Sequence, residues 1–133
     1  MEWKHNAYII SDDPALIEPA VVHDFLRTSY WAADRDLETV IQSIENSLCF
    51  GIYLDGRQVG FARVITDGCT TAFIADVIID PAHRGQGLGK KMVSAIQAHP
   101  RVPDSVQVLK TKDAHGLYEQ FGFVRGEFMF RKT

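Results

Sequence analysis

The feature that most constrains the fold is the run Arg84-Gly85-Gln86-Gly87-Leu88-Gly89, which joins a predicted strand to a predicted helix. Residues 71–79 are apolar at nearly every position, as in a strand buried on both faces, and Asp80-Pro81 ends the run. Helical spacing follows in Leu88, Met92, Val93 and Ile96. Glycines that let the backbone approach closely, placed at a helix N-terminus, favour a site for an anion such as a diphosphate.

Two known phosphate-binding loops do not match this run. A Walker A loop would need glycine at position 84 and serine or threonine at 91, where the chain has Arg84 and Lys91. A Rossmann fingerprint would place its third glycine at Lys90, and its βα unit normally opens the domain. A diphosphate cradle of another kind and a plain flexible turn both remain open at this point.

Periodicity elsewhere predicts an α/β protein with a mixed sheet of about six strands and helices on its faces. The predicted strands are 8–10, 49–54, 58–66, 71–79, 106–109 and 123–130. The predicted helices are 15–28, 36–47, 88–99 and 114–121. The pair 49–54 and 58–66 flanks Asp55-Gly56-Arg57, a polar loop typical of antiparallel hairpins.

Length and composition predict one domain over residues 1–133. The net charge of -3 disfavours a nucleic-acid partner, which normally meets a basic face. Two cysteines are too few for a disulfide scaffold, and neither a signal peptide nor an apolar run of ~20 residues is present in the sequence. We therefore expect a cytoplasmic protein with no membrane partner.

Two blocks of the sequence resemble the GNAT superfamily of acyl-CoA-dependent N-acyltransferases. Residues 77–90 are similar to its motif A, which ends in Gln/Arg-x-x-Gly-x-Gly/Ala, and residues 114–123 are similar to its Ala-x-x-x-Tyr-x-x-x-Gly-Phe segment. The resemblance implies a GNAT-like fold, with a central, mostly antiparallel sheet of about six strands flanked by about four helices.

The resemblance also implies acetyl-CoA as cosubstrate and no metal. The backbone of Val77, Ile78 and Ile79 would pair with the pantetheine arm. The pyrophosphate would lie over Arg84, Gly85, Gln86, Gly87, Leu88, Gly89 and Lys90. Family members often have asparagine, which contacts the cofactor, where this chain has Thr111. Either Thr111 or Asp113 is expected to replace that contact.

Two residues are candidates for proton transfer. Tyr118 matches the family tyrosine near the sulfur, and a phenol is protonated at neutral pH; the alternative is a tyrosine that only packs. Asp76 is the candidate base, because a carboxylate in an apolar strand is costly to bury without a partner or a purpose. Its alternative is a structural pair with an arginine such as Arg63, or a hydrogen-bonded carboxylate.

The acceptor is the least defined part. Trp31, between the first two helices, is a hypothetical substrate contact, and Arg35, Arg63 and Asp67 are sources of charge. We expect direct acetyl transfer, in a ternary complex, to a primary amine of a small molecule or peptide. The alternative is a non-catalytic acyl-CoA-binding or sensing module. The apolar strand around residues 128–130 could be an edge that forms a homodimer.

Overall fold

The computed structural model describes residues 1–132 and contains a six-stranded sheet with helices on both faces. The strands are β1 (Glu2–His5), β2 (Tyr8–Ser11), β3 (Leu48–Leu54), β4 (Arg57–Thr66), β5 (Ala72–Ile79) and β6 (Gln107–Leu109). The α-helices are α1 (Pro19–Arg27), α2 (Leu37–Glu45), α3 (Leu88–Ala98) and α4 (His115–Glu119). Single 3₁₀ turns occupy Pro14–Leu16 and Pro81–His83.

The strands lie side by side in chain order, antiparallel except for the parallel pair β5–β6. This confirms the predicted mixed, mostly antiparallel sheet. The predicted hairpin is β3–β4, closed by Asp55 and Gly56 with φ of 51° and 79°. Two successive positive φ values give the turn whose twist matches that of the strands, and aspartate followed by glycine is suited to it.

Each face of the sheet packs against a different set of helices. On one face, α3 buries Leu88, Met92 and Ile96 against sheet residues such as Phe50 and Ile74. On the other face, a second cluster joins residues of α1 and α2 to the sheet; its members include Val22, Leu26, Val40, Phe61 and Ile78. Helices therefore pack against β5 from both faces of the sheet, through Ile74 on one face and Ile78 on the other.

Two predicted elements differ from the structure, and one strand of the structure was not predicted. The helix predicted over 15–28 begins only at Pro19, which suits the first helical position because proline has no N–H to donate. Strand β1 was not predicted, and it is held by a turn at Asn6 with φ of 53°. The last strand predicted over 123–130 is wrong, since these residues join no strand ladder within residues 1–132. The apolar residues of a segment do not show whether a neighbouring strand is long enough to pair with it. Here the neighbour along the chain, β6, has three residues.

Candidate active site

A cavity opens where strands β5 and β6 part. Their parallel pairing covers three positions and ends at Ile74 opposite Leu109. Beyond that point, a cavity of about 940 Å³ lies between residues 75–79 of β5 and the segment 109–114. The connection between α1 and α2 and the end of α4 complete its walls. The β6 side of β5 therefore presents strand backbone to a cavity instead of to another strand.

A β-bulge lies in β5 at the mouth of this cavity. Val64 pairs with Ile74 in the α3 cluster, and Phe61 pairs with Ile78 in the α1–α2 cluster. These pairs are three residues apart on β4 and four apart on β5, so β5 carries one extra residue. Asp76 lies in the extra stretch, with φ of 51°. A left-handed conformation at a residue other than glycine is uncommon and concentrates at functional sites.

The Asp76 cluster consists of Asp76, Trp31, Arg35 and Arg63. The Arg35 Nη1 and Arg63 Nε atoms donate to Asp76 Oδ2 at 2.7 and 2.8 Å, and Trp31 Nε1 donates to Oδ1 at 2.8 Å. Burial raises the pKa of Asp76, but the hydrogen bond and charge of Arg63, with Arg35 and Trp31, outweigh it and lower the pKa below 3.8. The structure thus contains the arginine pair that was the alternative for Asp76.

Tyr118 lies on α4 and lines the cavity with nine-tenths of its surface buried. Its ring packs edge-on against Phe123, with ring centres 5.9 Å apart. Burial, with smaller contributions from Tyr30 and Asp113, raises the pKa of the Tyr118 phenol above its ordinary value of 10. The hydroxyl is therefore protonated at neutral pH, on a residue of the same cavity wall as residues 75–79 of β5.

The glycine loop wraps the N-terminus of α3. Gly85 and Gly87 have φ of 81° and 78°, which L-residues rarely adopt. The Gln86 carbonyl is held by His5 Nε2 at 2.8 Å. The first helical hydrogen bond runs from the Lys91 N–H to the Gly87 carbonyl, so the amides of residues 88–90 have no acceptor within the helix. The loop can therefore present backbone N–H groups to an anion.

The predicted cofactor-binding residues fall into two groups. Val77, Ile78, Ile79, Arg84 and Thr111 line the cavity, whereas residues 85–90 lie past Arg84 in the loop and first turn of α3. The Thr111 hydroxyl accepts from the Ala114 N–H at 3.0 Å, in the turn that precedes α4. The Arg84 side chain donates to the Ile79 carbonyl at 3.1 Å, which ties the loop to the end of β5.

The predicted acceptor residues are only partly brought together. Trp31 lines the cavity, as do Arg35 and Arg63. Asp67 does not belong to the site, because it lies in the β4–β5 turn and accepts from Thr70 and neighbouring backbone amides. Turn aspartates commonly make such local bonds, which explains why its charge is not available to the cavity.

The charge of the cavity wall is opposite to that of the whole chain. Six basic and two acidic side chains line it, a formal +4 in a chain of net charge -3. The basic residues are Arg35, Arg63, Arg84, Lys110, Lys112 and Lys132. The three lysines were not predicted, although Lys110 and Lys112 flank Thr111, a residue predicted to contact the cofactor. A phosphate-bearing ligand suits such a wall.

Among residues 1–132, no group of three or more histidine, cysteine, aspartate or glutamate side chains is placed to hold a metal ion. Within the same part of the chain, none of the helices combines the length and the apolarity that crossing a membrane requires.

Comparison with known proteins assigns the family. Residues 45–125 match the acetyltransferase (GNAT) domain family. A protein of Gibberella zeae named as a candidate acetyltransferase is 31% identical, over 90% of this chain and 81% of its own. A candidate GNAT acetyltransferase from Xanthomonas campestris pv. campestris, solved by crystallography, is 40% identical with a TM-score of 0.91, covering 98% of this chain and 94% of that one.

A more distant structure shows the same fold. Glucosamine-6-phosphate N-acetyltransferase from Arabidopsis thaliana superposes with a TM-score of 0.71 over 95% of this chain and 97% of its own, at 17% identity. This chain thus combines the open space between β5 and β6, the bulge in β5 and the glycine loop before α3. Its sequence and its fold both match one family. The chain belongs to the GNAT family of acetyltransferases, which use acetyl-CoA and act on small-molecule or peptide acceptors.

Proposed function

We propose that this chain is an N-acetyltransferase that passes the acetyl group of acetyl-CoA directly to a primary amine. The observation that supports this most is the cavity at the end of the β5–β6 ladder, which brings strand backbone, Tyr118 and the Asp76 cluster to one space. Acetyl-CoA would supply the acetyl group as an activated thioester. Its pantetheine would lie along residues 77–79 and its pyrophosphate against Arg84 and the glycine loop.

The chain's own groups would divide the chemistry between them. A backbone N–H of β5 past the bulge polarises the thioester carbonyl, as a preorganised amide does best. The amine nitrogen bonds to the carbonyl carbon as the carbon–sulfur bond breaks, and the amine proton leaves to solvent. The Tyr118 hydroxyl gives its proton to the departing sulfur and regains one from water.

In this proposal Asp76 orients the acceptor site instead of removing a proton. A carboxylate with a lowered pKa and three donors on its two oxygens is a weak base. It is well suited to hold two guanidiniums and an indole in fixed positions. The geometry therefore favours a positioning role for Asp76 and leaves the acid role to Tyr118.

The test measures binding and turnover separately. Titration calorimetry with acetyl-CoA reports binding, and release of free CoA with a panel of primary amines reports transfer. For Tyr118→Phe we expect kcat to fall roughly 100-fold, as is typical when a general acid is removed, while the affinity for acetyl-CoA stays unchanged. Tyr53→Phe is the matched control, because Tyr53 is buried, does not line the cavity, and its hydroxyl has no partner within residues 1–132.

Two results would contradict the proposal. Full turnover by Tyr118→Phe would remove the tyrosine from proton transfer. Tight acetyl-CoA binding by the wild-type protein without CoA release on any amine would favour a binding or sensing module.

A further inference from the structure

The Asp76 cluster contains more positive than negative charge. Two guanidiniums donate to one carboxylate oxygen, Oδ2, while the other oxygen receives only the neutral Trp31 indole. Arginine stays charged at any physiological pH, and the carboxylate is ionised because its pKa is lowered. The cluster therefore holds a net charge of about +1 at neutral pH.

This excess charge is only partly accessible to water. The side chains of Asp76, Arg63 and Arg35 are 3%, 13% and 23% exposed. Among the described residues, Asp113 is the other acidic side chain on the cavity wall, and it belongs to the β6–α4 segment together with Lys110 and Lys112. An unneutralised charge in such a place is costly, so a ligand anion would be held strongly.

Arg35 is the member with donors to spare. Within residues 1–132 its side-chain hydrogen bonds use Nη1 alone, whereas Arg63 also donates from Nη1 to Ser47 Oγ at 3.3 Å. The unused Nε and Nη2 atoms belong to a planar fork that matches the two oxygens of a carboxylate. A neutral amide or hydroxyl would not offset the charge.

We infer that the acceptor of this enzyme carries a carboxylate which Arg35 binds, with Arg63 supporting it, so that the substrate class is amino acids and other short amino carboxylates. The inference rests on the proposed function. Asp76 directly precedes Val77, where the thioester carbonyl would lie, so the cluster adjoins the reacting atoms. A carboxylate bound there is only a few atoms from the attacking amine.

The test uses pairs of amines that differ in one group. Each α-, β- or γ-amino acid is compared with its own carboxamide by the rate of CoA release. The value of kcat/KM is calculated from the concentration of the uncharged amine, which removes the effect of different amine pKa values. For the wild-type protein we expect kcat/KM to be roughly 10- to 100-fold higher for the carboxylate member of each pair, which is the usual contribution of a hydrogen bond to a charged group. Arg35→Gln should bring that ratio close to one, and Arg35→Lys should retain part of it.

Arg27→Gln is the matched control. Arg27 also pairs with an aspartate, Asp24, at 2.7 Å, but it is exposed and does not line the cavity, so the ratio should stay at the wild-type value. Melting temperature and acetyl-CoA affinity of each variant show whether the fold and the cofactor site survive.

The outcomes separate this inference from the function beneath it. Turnover without preference in the wild-type protein, or an equal loss for both members of each pair in Arg35→Gln, would overturn the inference and leave the N-acetyltransferase standing. Acetyl-CoA binding without CoA release on any amine would overturn the proposed function, and the inference with it. The wild-type ratio needs no variant, so it tests the inference even if Arg35→Gln does not fold.

Discussion

Replacing Asp76 with asparagine keeps the shape of the side chain and removes its charge. The amide cannot accept from Trp31, Arg35 and Arg63 as the carboxylate does, because its nitrogen is itself a donor. Two arginines are then left without their counter-charge on the wall of the cavity. The change should therefore lower stability through the arginines.

The magnitude follows from burial. Removing one partner of a buried ion pair costs 3–5 kcal/mol, and the arginines keep some access to water at 13% and 23% exposure, so we expect about 3 kcal/mol. For a domain of this size that corresponds to a melting temperature lower by about 10 °C. Thermal unfolding followed by circular dichroism at pH 7 measures it directly.

The dependence on pH checks the cause. Asp76 has a lowered pKa in the folded state, so its contribution is present above pH 3.8 and disappears as the pH falls through the folded value. The stability gap between the wild-type protein and Asp76→Asn should therefore be widest near neutrality and close in acid. Urea unfolding at several pH values gives the gap.

Activity separates a positioning role from a catalytic one. If Asp76 only positions the arginines, the rising limb of kcat/KM with pH should persist in Asp76→Asn, because it follows the acceptor amine. A general base would instead show a loss of about 100-fold or more in kcat. Equal melting temperatures together with such a loss in kcat would refute our reasoning.

Two further predictions test other parts of the structure. Gly87→Ala should lower the free energy of unfolding by about 1–2 kcal/mol and weaken acetyl-CoA binding measured by calorimetry. The cause is backbone strain at φ of 78°, since the new Cβ would meet only His5, at 3.5 Å. Gly116→Ala, at a position without positive φ, is the control, and equal behaviour of the two variants would exclude backbone strain as the cause. Burial raises the pKa of Cys49 to about 12, so a thiol reagent should label the exposed Cys69 in the folded protein and Cys49 only on unfolding. The Cys69→Ser variant retains Cys49 as its one cysteine, and rapid labelling of this variant in the folded state would contradict the prediction.

The sequence predicts the elements whose signals are local. The β3–β4 hairpin follows from Asp55-Gly56, and β5, the glycine loop and α3 follow from an apolar run, three glycines and helical spacing. The start of the helix predicted over 36–47 has a local cause too, since the structure shows the Asp36 side chain accepting from the Thr39 amide at 2.8 Å. Such signals act within a few residues, which is why they can be recognised before the fold is known.

The Asp76 cluster could not be predicted in this way. Trp31 and Arg35 reach Asp76 across 45 and 41 residues, and no local pattern specifies that meeting. The bulge is equally hidden, because it depends on how β5 is paired and not on its composition. The wrong strand at 123–130 has the same origin, since a strand requires a neighbour that its own residues do not specify.

The bulge also decides how the residues of β5 are shared between the two faces of the sheet. With regular alternation past Ile74, the face that takes Ala72 and Ile74 towards α3 would take Asp76 as well, into an apolar core. The bulge shifts the alternation by one position, so Asp76 falls on the same face as Ile78, on the α1–α2 side. Even-numbered residues of β5 therefore face α3 before the bulge and α1–α2 after it, and a single alternating pattern does not describe the strand.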